Sequence, residues 1–518
     1  MSALLAAAPT APSIHVPSIA YHALWPILII LLAACAGVLV EAFVPRAERF
    51  AIQAWLTVVS MVGALVAVFA LHSTSITTVG GAVAIDGFGL FIQGSILILA
   101  IMSVALISER AVEGSPIVAQ AAVVVGSPRD RELQRSGRVQ TEIFPLTLFA
   151  VGGMLIFPLA NNLLLMFVAL EVLSLPLYLM AGMARRRRLL SQEASMKYFL
   201  LGAFASAFFL YGLALLYGYA NSVDLPAILT AAQTSTKSDV LLYLGLALLV
   251  VGLLFKAGIA PFHSWTPDVY QGSPTAVTAF MASCTKIAAF GAILRVLYVG
   301  FSSTKWDWRP MMWAVAIASM VVGAVFGLTQ TDVKRILAYS AIAHAGFILV
   351  GLIALSKDGI SSTLFYLVTY GFATIGAFGL VTLVRDADGE ATHLSQWSGL
   401  ARKSPIVAAL MTIFLLSMAG IPLTAGFVGK FTVFSAGYHD AAPLVVIALV
   451  ASAVAAFFYL RIVVLMYFAE PPENAPTIAI PSPATTFALT LGTLGTIFLG
   501  LVPQPVLDLA SHAAKLRG

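Results

Sequence analysis

Long apolar stretches recur so regularly in this sequence that few folds are open to it. Read up to the next Pro, Gly or charge cluster, they run 21–43, 51–71, 87–107, 143–160, 162–184, 193–219, 239–258, 274–300, 311–329, 333–355, 360–384, 404–437, 442–469 and 483–507. A run of about 18 apolar residues or more crosses the hydrocarbon of a bilayer as a helix, where every backbone N–H and C=O finds its partner within the segment. The prediction is an all-α polytopic membrane protein with about fourteen transmembrane helices. Composition excludes a soluble fold: 60% of the 518 residues are hydrophobic and 10% are charged, against about 25% charged in a soluble domain. So few charges cannot coat a globule of this size in water.

The first stretch has no basic region before it and continues for more than twenty residues, so it is expected to stay in the mature chain. Cations then set the orientation. Odd-numbered connections hold sixteen Lys and Arg: Arg46, Arg49, Arg110, Arg129, Arg131, Arg135, Arg138, Arg185 to Arg188, Lys334, Arg335, Arg385, Arg402 and Lys403. Even-numbered connections and the tails hold six. Basic residues accumulate on the cytoplasmic side, which predicts cytoplasmic odd loops and both termini outside. The net charge of +5 records this topology and does not argue for nucleic acid. The connection 108–141 mixes both signs with little apolar content and reads as a solvated loop.

Cys35 and Cys284 both lie in apolar runs, which offers neither a disulfide framework nor a CxxC motif. No GxGxxG, GxxxxGK[ST] or HExxH is present. Redox or ATP chemistry, if it is coupled to this chain, needs a cofactor held by a partner.

Two stretches are interrupted in mid-membrane. Lys256-Ala257-Gly258-Ile259-Ala260-Pro261 follows one apolar run directly, and Gly420-Ile421-Pro422-Leu423-Thr424-Ala425-Gly426 sits inside another. Pro and Gly free several peptide groups from helical partners, which hydrocarbon tolerates only beside protein or a water-lined cavity. The breaks fall in the seventh and twelfth stretches, five apart. A five-helix repeat begun at the fourth would re-enter the bilayer from the opposite side, the inverted-repeat layout of ion-coupled carriers. The expected organisation is residues 1–142 with three helices and the charged loop, 143–300 and 311–469 as the two repeats, and a last helix at 483–507.

Six cations remain inside the stretches: Lys197, Lys256, Lys286, Arg295, Lys430 and Arg461. An ionisable group at the bilayer centre costs about 3 kcal/mol or more and marks a functional path by default. Glu171 stands near the middle of the fifth stretch, and Lys256 and Lys286 are two turns or more from any boundary. Burial disfavours the charged form of a lysine and a nearby carboxylate favours it, so such groups can be poised to exchange a proton. His344 lies among small residues in the tenth stretch, where an imidazole serves either as a relay or as an interhelical hydrogen-bond partner. Glu193 and Lys197 have the i, i+4 spacing of a helical ion pair. Arg295 and Arg461 read mainly as packing charges. Glu171, Lys256, Lys286, His344 and Lys430 spread through both halves as a candidate proton path, with Lys197 beside it.

The segments Phe262-His263-Ser264-Trp265-Thr266-Pro267-Asp268-Val269-Tyr270-Gln271-Gly272-Ser273-Pro274-Thr275, Thr331 to Ser340 with His344, and Gly420-Ile421-Pro422 through Gly429-Lys430 resemble the antiporter-like membrane subunits of respiratory complex I. The resemblance covers about 140–470. Met196-Lys197-Tyr198-Phe199 and a Lys at 430 look most like the branch whose chains end soon after the fourteenth helix. The loop 108–141 is longer than that pattern, so no role is carried over to it.

The resemblance implies a non-redox, proton-translocating subunit of a bacterial NADH:quinone oxidoreductase in the cell membrane. By position Glu171 and Lys256 would form a modulating pair, Lys286 the central relay, His344 the onward link, Lys430 the terminal residue, and Lys197 an entrance. It also implies no cofactor or metal in this chain. NADH, FMN, iron–sulfur clusters and quinone would sit in partner subunits, among them neighbouring antiporter-like subunits. Two other readings share these features: a subunit of a multi-subunit Na⁺/H⁺ antiporter, and a structural membrane anchor of a hydrogenase-type complex.

Overall fold

The computed structural model describes residues 18–110, 127–128, 132, 140–184, 187–236, 238–386 and 389–517. Most of the connection 108–141, Arg185, Arg186, Lys237 and the N-terminal residues with His15 lie outside the described residues.

The chain opens with α1 (Trp25–Phe43), α2 (Arg46–Ala70), a hairpin of β1 (Ile76–Thr78) and β2 (Val83–Ile85), and α3 (Gly87–Ile107). The first half continues through α4 (Ile143–Ile156), α5 (Leu163–Ala181), α6 (Arg188–Ala220), a short α7 (Leu225–Thr234), α8 (Val240–Ala257), α9 (Trp265–Gly272), α10 (Thr275–Phe280) and α11 (Lys286–Arg295). Met281–Thr285, between α10 and α11, is a π-helical turn. The second half holds α12 (Lys305–Thr329), α13 (Val333–Ile353), α14 (Lys357–Val381), β3 (Val384–Asp386), β4 (Gly389–Glu390), α15 (Leu400–Lys403), α16 (Pro405–Ala419) and α17 (Ala425–Phe468). After it come β5 (Thr477–Ile478), α18 (Pro483–Leu501) and α19 (Gln504–Ala513), with β4, β3 and β5 forming a small antiparallel sheet.

Among the described residues twelve helices are long and apolar enough to cross a membrane, and Ile143–Leu159 and Pro405–Ala419 are shorter apolar helices. The expected spans therefore do not map one for one. Stretch 404–437 is two helices, because Gly420 ends α16 in the left-handed region at φ +87°. Stretches 437 and 442 onward are joined in α17, which is bent at Ala441 (φ −145°, ψ 37°). A straight 44-residue helix would run about 66 Å, twice the hydrocarbon thickness of about 30 Å. The bend folds it back, so that Lys430 before it hydrogen-bonds Ser452 after it.

N-caps are what define several of these starts. Asp86, Asn162, Asp332, Ser356 and Ser482 each accept from backbone N–H groups of the helix that follows, which satisfies donors the helix cannot. Two of these caps also mark the repeat. Asn162 bridges Asp224 and Asp332 bridges His393 as isolated antiparallel pairs. In the first, Leu163 N–H donates to Val223 O (2.8 Å) and Leu225 N–H to Asn161 O (2.9 Å); in the second, Val333 N–H donates to Thr392 O (2.7 Å) and Leu394 N–H to Thr331 O (2.8 Å). The same clasp thus ties the start of the second helix of each repeat to the chain two helices on.

Burial is uneven, and the pattern places the site. Thr275–Gly300 is buried along its whole apolar window and α13 and α14 are 94% buried, whereas α2, α6 and α18 are only about a third buried. The first three form the centre of the molecule, and the outer helices leave large apolar side chains exposed.

Candidate functional site

Both mid-membrane breaks have one construction. At the first, Gly258 (φ +68°) ends α8, with its N–H on Phe255 O and the Ile259 N–H on Leu254 O. At the second, the Gly420 N–H bonds Ser417 O and the Ile421 N–H bonds Leu416 O. This is the glycine-terminated helix end expected where a residue must turn left-handed. Several of the remaining polar groups find protein partners, although His263 Nδ1 and Thr266 Oγ1 do not. Ala260 N–H meets Ser319 Oγ (3.0 Å), the Trp265 indole meets Phe255 O (3.0 Å), and Gly426 N–H meets Ser417 Oγ (3.0 Å).

Each break leaves carbonyls at a helix C-terminus, the negative end of its dipole, and a buried lysine takes them. Lys286 Nζ donates to Ala257 O (3.2 Å) and to Ala341 O of α13 (2.8 Å). Lys430 Nζ donates to Met418 O (2.9 Å), Ala419 O (2.9 Å) and Ser452 Oγ (2.8 Å). Neither ammonium faces a carboxylate; oriented peptide groups stabilise it.

His344 lies between these two lysines. Its Nδ1 pairs with Tyr366 Oη (2.8 Å) and its Nε2 with Tyr459 Oη (3.2 Å), while Tyr459 also hydrogen-bonds Ser340. The Tyr370 ring stands 4.7 Å from the imidazole and 6.0 Å from Lys286 Nζ. On the other side Phe347 is 5.7 Å from the imidazole and 5.1 Å from Lys430 Nζ. Lys286, His344 and Lys430 therefore form one file through the buried centre.

Lys256, at the last turn of α8, points into an aromatic box. Its Nζ donates to Ser174 Oγ (2.9 Å) and Tyr198 Oη (3.2 Å) and faces the rings of Tyr198 (5.4 Å) and Tyr178 (6.0 Å). The expected acid–base pair with Glu171 is not a direct contact: the ammonium is taken by Ser174, one helical turn from Glu171. Glu171 instead shares a face of α5 with the exposed Leu164, Val168, Leu175 and Leu179, and its buried Oε1 has no hydrogen-bond partner. A carboxylate set in that apolar stripe lies at the edge of the chain.

Four other cations depart from or sharpen the sequence reading. Lys197 is 42% exposed and belongs to a surface cluster, bonded to Glu193 (2.7 Å) and to Asp268 (2.7 Å), which also pairs with Arg335 (2.7 Å). The structure ties it to other charges outside the buried file. Lys334, assigned above to a loop, is buried in the first turn of α13. Arg295 is a packing charge, as expected, and fully buried: its Nη2 meets both oxygens of Asp86 at 2.9 Å. Arg461 reaches Leu328 O.

Sequence reasoning missed Tyr198, Tyr366, Tyr370, Tyr459, Ser174 and Ser452. Tyr366 and Tyr370 carried a usable signal, since two phenol hydroxyls four residues apart line one face of a membrane-spanning helix. Among the described residues no group of three or more His, Cys, Asp or Glu could hold a metal ion.

A family model described as NADH:quinone oxidoreductase/Mrp antiporter, TM, matches residues 160–458. The chain is 58% identical over 507 residues to NADH-quinone oxidoreductase subunit N of Saccharopolyspora erythraea, covering 96% of this chain and 98% of that one. It is 58% identical over 516 residues to the subunit N of Acidothermus cellulolyticus, covering 99% of each. A chain of respiratory complex I from Thermus thermophilus with bound aureothin superposes with a TM-score of 0.75 at 34% identity, over 94% of this chain and 99% of that one. A chain of the Mrp complex from Dietzia sp. DQ12-45-1b superposes with a TM-score of 0.80 at 22% identity, over 96% and 97%, a likeness of fold alone.

Proposed function

The chain belongs to the NADH:quinone oxidoreductase/Mrp antiporter family as an antiporter-like complex I membrane subunit of the subunit N kind, and from that premise we propose how it moves protons. The observation that carries the proposal is the file of Lys286, His344 and Lys430 with Lys256 beside it: three buried amines and an imidazole, each hydrogen-bonded, with tyrosine hydroxyls on Lys256 and His344 and aromatic rings between His344 and the lysines either side of it. Lys256 receives a proton at the aromatic box, Lys286 holds it at the centre, His344 passes it between Tyr366 and Tyr459, and Lys430 delivers it to the far side. Water bridges the gaps between these groups.

Coupling reaches the file as a displaced charge. Glu171, at the chain's edge, is placed to respond to a neighbouring subunit, and Ser174 links its helical turn to Lys256. The chain carries no redox step; NADH, FMN, iron–sulfur clusters and quinone belong to partner subunits. We place both termini outside the cell membrane and the α12–α13 and α14–α16 connections in the cytoplasm, following the distribution of cations.

Lys256→Ala and Glu171→Ala should each lower NADH-driven proton uptake and coupled quinone reduction severalfold while the complex still assembles. Uptake and turnover in both variants equal to wild type would remove these residues from the path. Purification supplies a broader check, since a flavin-free assembly showing Na⁺-dependent exchange would favour a Na⁺/H⁺ antiporter subunit.

The breaks supply a second test. A Cβ on Gly420 would lie 2.9 Å from Lys430 Cδ, and one on Gly258 would lie 2.9 Å from Thr266 Oγ1. Both alanine variants should lose about 1–2 kcal/mol, the penalty for a left-handed non-glycine residue. Only Gly420→Ala should also displace an ammonium and lower proton uptake beyond what its thermal stability explains. Equal uptake in the two variants at equal stability would separate the glycine from Lys430.

A further inference from the structure

Outside the file, the ion pair of Lys334 and Glu390 has no part in the mechanism above. Lys334 Nζ donates to Ser273 O (2.8 Å) and lies 3.6 Å from Glu390 Oε2. Ser273 stands in the gap between α9 and α10, before Pro274, so its carbonyl is again one that a helix break has freed. Glu390 accepts a hydrogen bond from Thr275 Oγ1, at the first residue of α10. Its backbone carbonyl is held by Arg187, which also bonds Thr392, and Arg385 sits opposite it across β3 and β4. Lys334 is 3% exposed and Glu390 is 16% exposed. The partly exposed carboxylate therefore lies beside an amine that is sealed.

From Lys334 inward, two helices lead to Lys286. On α13, Lys334 and Ala341, whose carbonyl Lys286 holds, are seven residues apart and share a face, about 10 Å along the axis. Ala338 fills the intervening position on that face. Thr275 and Thr278 begin the helix that carries Lys286, and Thr278 Oγ1 lies against Tyr270 O (3.2 Å) and Pro274 O (3.3 Å). Small residues and hydroxyls over two turns are the surroundings in which water bridges titratable groups.

We propose that Glu390 and Lys334 form a water-side proton inlet to Lys286. Glu390 takes a proton from water at the hairpin and gives it to neutral Lys334. Lys334 releases one inward through bridging water toward Lys286, and Glu390 is again ionised, so charge balances at each transfer. Lys334, Arg385 and Arg187 surround the carboxylate with positive charge, and Asp332, Asp386 and His393 stand close by in the chain. The inference rests on the proton-translocation reading, so its test includes a variant of the file.

The test uses the whole complex in proteoliposomes, comparing Glu390→Gln, Glu390→Asp, Lys334→Met and Lys286→Met. Expected is about a fivefold loss of proton uptake and quinone reductase turnover in Glu390→Gln, within the range that a positioned proton-transfer group contributes. The loss should be larger in alkaline than in acidic assay, because a higher proton activity loads Lys334 without the carboxylate. Glu390→Asp should keep most of the activity, and Lys334→Met should lose it at every pH. A Glu390→Gln enzyme with the wild-type rate and pH profile, beside an inactive Lys286→Met, would overturn the inlet and leave translocation standing. A loss that is independent of pH and shared by Glu390→Asp would show a structural clasp and also overturn it. Wild-type uptake in Lys286→Met would instead sink the reading on which the inlet rests.

Discussion

Lys286→Met should leave the complex assembled and cut NADH-driven proton uptake to about a tenth of wild type or less. Methionine matches the length of the lysine stem and is at home among buried apolar groups, so packing around Thr275–Gly300 survives. The hydrogen bonds to Ala257 O and Ala341 O disappear, and an under-satisfied buried carbonyl costs about 1–3 kcal/mol. Loss of the amine is far more serious for function. Lys286 is the group between the Ala257 end of the first broken helix and the Tyr370–His344 pair, and a positioned proton-transfer group is worth about 10²–10⁴ in rate. Quenching of a pH-sensitive dye in vesicles, read together with quinone reduction, measures it. Uptake at the wild-type level would mean that protons reach Lys430 by another route.

The largest effect on stability is expected at Asp86. Its two oxygens hold the Arg295 guanidinium, Oδ1 caps α3 through the Gly89 N–H (2.8 Å), and Oδ2 accepts the Arg517 N–H (2.9 Å). Arg295 Nε and Nη1 are taken by Pro158 O (2.5 Å) and Arg517 O (2.8 Å). One carboxylate thus pins α3, α11, the end of the α4 segment and the C-terminal tail. Asp86→Ala strands a buried guanidinium, and breaking such a pair costs about 3–5 kcal/mol. The subunit should be lost from the membrane or melt well below wild type. Arg295→Met combined with Asp86→Leu should recover much of the loss, because paired removal leaves no unmet charge. Melting of Asp86→Ala at the wild-type temperature would show that the pair does not hold these elements together.

The fold class was legible because hydrocarbon permits so little: apolar length, Pro and Gly punctuation and the position of each charge translate almost directly into spans and breaks. Lys286, His344 and Lys430 were legible for the same reason, since each is anomalous in its surroundings. Less visible was anything that depends on two distant segments. Ser174 lies 82 residues from Lys256, and Tyr459 lies 115 from His344; hydroxyls in apolar helices are ordinary until their partners are known. Lys334 was misread because it stands at a helix start beside Arg335, where loop and first turn look alike. Glu171 and Lys256 were paired by position from the resemblance, and the hydroxyl that Lys256 meets, Ser174 one turn from Glu171, was not foreseen. The boundary read between 437 and 442 falls at the bend at Ala441, where two helical segments meet in α17.

The hydroxyls around His344 bear on which way the machine runs. Tyr366, Tyr459 and Ser340 can each donate or accept, and the imidazole can present its proton on either nitrogen. If protons pass along the file as proposed, groups of this kind would carry them either way, so the direction of a cycle would have to be imposed at its two mouths and by the charges of adjoining subunits. Driven by a sufficient proton gradient, the same residues would carry protons in reverse.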